Sequence, residues 1–145
     1  MRSAARCYKF GGNVSYQELG QEVKKAFPDL VVQTVDSAVV SNEKLVEMIG
    51  EQTLEAGATG SPLARKPEVD LLMRLGATTQ ISRAIKEVGA RRGKEFVLVV
   101  LGKEPEIRKL ESGRGSGWMR LPRHRLVEEE LQRIERAALL DAERA

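Results

Sequence analysis

The run FVLVVL, residues 96–101, constrains this chain more than any other feature. Six apolar residues, three of them valine, read as a β-strand, and the run is far too short to span a bilayer. It shows no alternation of apolar and polar side chains. A strand of that kind is expected where both faces of a sheet are covered. The chain has 145 residues, which suits one domain. The rest must therefore supply covering layers on two sides. The segments around the run provide candidates. Residues 7–11, 30–36 and 67–76 read as further strands. Residues 15–27, 41–56, 78–89, 104–112 and about 123 onward carry helical spacing or caps. Ser15 with Glu18 has capping-box spacing, Ser41 or Asn42 suits an N-cap, and Thr78 or Thr79 can open the next helix, which Gly89 can close in a left-handed conformation. The expected fold is one α/β domain spanning residues 1–145: a central mixed sheet flanked by helices, ending in an amphipathic C-terminal helix.

Charge is distributed unevenly. Residues 1–73 hold 8 Lys/Arg against 10 Asp/Glu, residues 74–125 hold 13 against 5, and residues 126–145 hold 3 against 6. The middle segment thus carries a net +8 between two mildly acidic ends, as expected for a chain with either an anionic partner or a solvated basic surface. One cysteine, Cys7, excludes an internal disulfide framework and fits a reducing compartment. No signal-peptide pattern opens the chain. A soluble, cytoplasmic protein with no membrane contact is expected.

Enzyme motifs fail on inspection. "GARRGKE" at 89–95 falls one residue short of phosphate-loop spacing and has Glu95 where a hydroxyl must meet magnesium. "GRGSG" at 113–117 lacks the strand and helix of a dinucleotide fingerprint. His124 and Cys7 are each the only residue of their type and have no metal-ligand spacing. No catalytic residue, metal ligand or cofactor is nominated, and a binding role is expected instead.

The most pointed segment for binding is "TTQISRAIKEVGARRG", residues 78–93. Ile81, Ala84, Ile85 and Val88 follow the i, i+3, i+4, i+7 spacing of one helix face, with Arg83 and Lys86 opposite. Arg91, Arg92 and Lys94 cluster just beyond. A core helix with a solvated face explains the apolar residues fully and the basic cluster less well. At the C-terminus, Val127, Leu131, Ile134 and Ala138 form an apolar stripe that Leu139 and Leu140 widen, so that some of its area is expected to serve a partner.

The segments "VVQTVDSAVVSNEKLVEMI" (31–49) and "EVDLLMRLGATTQISRAIKEVGARRG" (68–93) together resemble the small tRNA-recruiting subunit of the KEOPS complex, the PRPK-binding protein family, in an archaeal-type form. The resemblance covers about residues 30–102. Its most specific part is carried by Arg74, Gln80, Ile81, Ala84, Ile85, Gly89 and Ala90. The family commonly has arginine where this chain has Thr79, and the region after Gly102 looks shortened here. The resemblance implies a subunit without catalytic activity of its own. Such a subunit binds the kinase-like ATPase subunit of KEOPS and holds the 3′ CCA end of tRNA, in a complex that installs threonylcarbamoyl on adenosine. On this chain the RNA contacts would come from Arg74, Thr79, Gln80, Ile81, Arg83, Lys86, Arg91 and Arg92. The partner contacts would come from Leu131, Ile134, Ala138, Leu139 and Leu140. The competing expectation is a protein-interaction module that docks through its C-terminal helix without touching RNA.

Overall fold

The computed structural model describes residues 3–144. The apolar run becomes the strand Phe96–Lys103, and it takes an inner position in a four-stranded sheet. In chain order the elements are β1 (Ser3–Phe10), α1 (Tyr16–Ala26), β2 (Val31–Asp36), α2 (Glu43–Ala58), α3 (Pro67–Gly76), α4 (Ile81–Val88), β3 (Phe96–Lys103), α5 (Glu104–Gly113), β4 (Met119–Arg120) and α6 (Glu128–Arg144). The strand order is β2-β3-β1-β4 and every pairing is antiparallel.

Both faces of β3 are covered, as its sequence requires. Val97, Val99 and Leu101 pack with Cys7, Val35, Leu45, Ile49, Leu71, Val88 and Ala137 under α2, α3, α4 and α6. Leu98 and Val100 pack on the other face with Tyr8, Leu30 and Val32 against Val23 of α1 and Ile107 and Leu110 of α5. Gly50 sits inside α2, where glycine costs helix stability. The reason is close packing: a Cβ there would lie 2.6 Å from Leu101 Cδ2. The expected caps of α1 and α2 form, with Ser15 accepting from the Glu18 N–H and Asn42 accepting from the Lys44 N–H.

Residues 67–76 are a helix, not the expected strand, and the sheet is antiparallel rather than the expected mixed one. A short apolar run does not by its period separate a buried strand from a buried helix. The deciding signals are Pro67 at the first turn, Glu68 and Asp70 beside it, and Arg74 four residues after Asp70. Ala77, in the left-handed conformation with φ 51°, then ends α3.

Buried polar groups fix the last quarter of the chain. Glu43, fully buried at the start of α2, accepts from the Cys7 N–H at 2.9 Å, from two Arg120 nitrogens and from Arg123 at 3.1 Å. The Glu43 N–H donates to Pro122 O. Buried Asn42 donates to His124 O and Glu130 Oε1 and accepts from the His124 N–H. On α3, buried Arg74 binds Asp70 at 2.7 Å and Asp141 of α6 at 2.9 Å. Burial alone would make the guanidinium easier to deprotonate, but the hydrogen bonds it donates to Asp141 and Asp70 outweigh that and raise its pKa. Arg133 of α6 donates to Val39 O and Leu75 O.

Two predictions follow from this polar framework. Burial disfavours the Glu43 carboxylate, yet hydrogen bonds from Arg120, the Cys7 N–H and Arg123 overcome that and lower its pKa below the ordinary 4.5. Its contribution is therefore present above that value and is lost as pH falls through the lowered one. Glu43→Gln should cost about 3 kcal/mol near neutral pH, and the gap from wild type in urea unfolding should narrow as pH falls below the ordinary 4.5. A gap constant over that range would mean that the carboxylate's charge adds nothing. Asp70→Ala strips buried Arg74 of its nearest acid and should cost about 3–5 kcal/mol in the same assay; a loss below about 1 kcal/mol would place that pair among weak surface bridges.

Candidate functional site

α4 is short and sits on α3, from which residues 77–80 separate it. Its four apolar residues divide. Ala84 and Val88 are buried, whereas Ile81 is 47% exposed and Ile85 54% exposed. Helical geometry explains the division. At about 100° per residue, Ala84 and Val88 form a narrow inner stripe, Ile81 and Ile85 flank it on one side, and Ser82 and Lys86 come next round. The isoleucine pair is therefore an apolar surface band rimmed by a lysine. Core spacing would have most of that face packed inward; only half of it is, because α4 packs against α3 and leaves Ile81 and Ile85 past the edge of the contact. Gln80, not a threonine, is the N-cap residue, and buried Thr78 instead accepts from the Gln80 N–H at 3.1 Å. Gly89 has φ −61°, so it does not supply a left-handed cap. What restricts it is space: a Cβ would meet Ile85 O at 2.6 Å.

The basic residues differ in how far they are already neutralised. Arg83 Nε lies 2.9 Å from Glu87 Oε1, one helical turn along. Arg91 donates to Lys86 O at 3.0 Å and its Nε lies 3.7 Å from Asp36 Oδ2. Lys86 and Arg92 have no ion pair among the described residues, and Thr79 and Gln80 are exposed beside the isoleucines. Arg92 lines a cleft of about 540 Å³ with Asn13, Ser15 and Tyr16 at the start of α1. The backbone crossing behind it is tight, since a Cβ on Gly12 would stand 2.4 Å from Gly93 O.

Arg74 does not belong to this surface. It is 1% exposed, and its guanidinium is committed to Asp70, Asp141 and Ala137 O. Sequence reading placed it at a strand-to-helix turn; as the eighth residue of a helix it points instead at α6. It belongs to the core and is withdrawn from the RNA-contact set.

The C-terminal helix needs a similar correction. Leu140 is buried in the core at 2% exposure, and Ile134 is half-buried. The inward stripe runs through Glu130, Arg133, Ile134, Ala137, Leu140 and Asp141. Half of it is polar, which is why counting apolar residues missed its register. The outward residues are Val127, Leu131, Ala138 and Leu139, with Val127 56%, Leu131 52% and Leu139 53% exposed.

Chemistry elsewhere is sparse. Cys7 is buried, and burial followed by the nearby Glu43 charge raises its thiol pKa well above the ordinary value, the opposite of an activated nucleophile. Residues 91–94 form a turn between α4 and β3, with the Lys94 N–H on Arg91 O, so the near-phosphate-loop stretch leads into a strand and not into a helix. Among the described residues no group of three or more His, Cys, Asp or Glu could hold a metal ion, and no helix is long and apolar enough to cross a membrane. No protein-family model matches the chain, and no curated protein matches it.

The two leucines of α6 give opposite expectations. Leu140→Glu should unfold the domain or cost more than about 3 kcal/mol, because it buries an unpaired carboxylate. Leu131→Glu should leave stability within about 0.5 kcal/mol of wild type. Thermal or urea unfolding checks both; equal losses would mean that the outward face of α6 is core as well.

Proposed function

We propose that this chain is a non-catalytic subunit of a KEOPS-type tRNA threonylcarbamoyladenosine complex, binding the 3′ CCA end of tRNA through α4 and the kinase-like ATPase subunit through the outer face of α6. The observation that carries the RNA reading is the exposed Ile81–Ile85 band beside Lys86, in the segment whose sequence resembles that family. Single-stranded RNA is gripped by cations at phosphates and by flat or apolar surfaces under bases. No aromatic residue occurs between Phe27 and Phe96. Tyr8, Phe10, Tyr16, Phe96 and Trp118 are engaged with one another instead. A base at α4 would therefore rest on aliphatic side chains. Lys86 supplies an unpaired charge, Thr79 and Gln80 supply polar contacts at the helix start, and Arg92 extends the basic surface towards α1. Arg83 and Arg91, each facing an acid, contribute less. A phosphate could also meet the free N–H groups that open α4, which supports the site in place of the arginine expected at position 79.

A second reading, a protein-interaction module without RNA contact, is favoured by one observation: Leu131 and Leu139 of α6 and Val127 just before it are all more than half exposed. A single experiment separates the readings. Filter binding should show that intact tRNA binds more tightly than tRNA lacking its CCA end, with affinity falling as salt rises. Ile85→Asp with Lys86→Glu, in a protein shown to be folded, should remove that difference, and Lys86→Glu alone should lower the salt slope by about one. Arg83→Glu should have the smaller effect. If the double variant still distinguishes the two tRNAs, or if wild type never does, the RNA reading is wrong. Capture of the kinase-like subunit that is lost in Leu131→Glu would then support the interaction module alone.

A further inference from the structure

We infer that the cleft between β4 and the turn leading into α2 is a binding site for a small carboxylate with an apolar body, a site independent of the RNA surface on α4. The cleft has a volume of about 350 Å³. Ligand pockets start at about this size, and a ~150 Å³ cavity already admits benzene, so a chain of several carbons fits. Its floor is core: Val40 and Val97 are fully buried and Leu121 nearly so. Met119 at the mouth is 69% exposed, an apolar side chain that a ligand would cover.

The polar groups converge from two elements. Lys9 comes from β1, and Ser37 and Ser41 come from the turn before α2. The two hydroxyls make no hydrogen bond among the described residues. Among the described residues Lys9 pairs only with the exposed Glu95, at 3.7 Å, a contact that a ligand anion can replace. Arg120 also lines the cleft, but its guanidinium is held by buried Glu43. It therefore gives a fixed wall and no free charge. One available ammonium with two hydroxyl donors matches a single negative charge and selects a carboxylate over a phosphate dianion. The apolar floor selects an alkyl or small cyclic body, with Met119 free to adapt to its shape.

The test uses the full chain and octanoate as probe. Titration of ¹⁵N-labelled protein should give saturable amide shifts centred on Lys9, Ser37, Ser41, Val97 and Leu121. Octan-1-ol should bind more weakly than octanoate. Lys9→Gln should raise the Kd by about tenfold, and Glu95→Gln, which releases Lys9, should lower it. Ser41→Trp, at an exposed position, should plug the mouth and abolish the shifts while the rest of the spectrum stays folded. Shifts that fail to saturate, that fall on Ile81, Ile85 and Leu131 instead, or that survive both Lys9→Gln and Ser41→Trp would overturn the proposal.

Discussion

The carboxylate of Glu43 is the point on which the C-terminal part of the fold depends. It is buried at the start of α2 and touches three segments at once: the N–H of Cys7 in β1, Arg120 in β4 and Arg123 beyond it. A buried charge without partners is costly enough that the chain must bring those partners to it. With Asn42 next door binding His124 and Glu130, two adjacent residues set the path of the whole approach to α6. β4 has only two residues and could not hold that path by strand pairing alone.

Arg74 does for α6 what Glu43 does for β4. Its forked guanidinium matches Asp70 within α3 and Asp141 across the interface, a geometry that fixes rotation as well as distance. α6 is thereby seated with Ala137 and Leu140 inward and Leu131 and Leu139 outward. A helix seated by apolar contacts alone would have turned its leucines in. Polar anchors are what leave an apolar face free on the outside. On α4 the same outcome has another cause, because that helix is covered on one flank only and Ile81 and Ile85 lie past the edge of the contact.

The sheet was legible because FVLVVL can satisfy itself only between two layers, and the structure places helices on both sides. The caps at Ser15 and Asn42 were legible because capping chemistry is local. The identity of 67–76 was not, since Leu71, Leu72, Met73 and Leu75 suit a buried strand as well as a buried helix. What separates the two is the polar pattern around them, Pro67 with Glu68 and Asp70 in the first turn and Arg74 four residues after Asp70, which apolar spacing alone does not weigh. The register of α6 was hidden for the same reason: its inward stripe contains Arg133 and Asp141, whose partners lie on other elements. At the candidate RNA surface the spacing of Ile81, Ala84, Ile85 and Val88 was read correctly as one face, but spacing does not say how wide the neighbouring helix is. The exposure of half that face is a property of the packing.

The strand order has a consequence for synthesis. β1 and β2 are not neighbours; each pairs with β3, which follows β2 by some sixty residues along the chain. While the ribosome is still making the helices between them, neither early strand has a partner, and no sheet can form. The nascent chain must therefore carry two unpaired strands until Phe96–Lys103 emerges, and that strand can then pair with both. The three long strands of this sheet can join only late, when its most apolar segment arrives, with β4 added to β1 afterwards, and the long loops that β3 closes favour slow folding over fast.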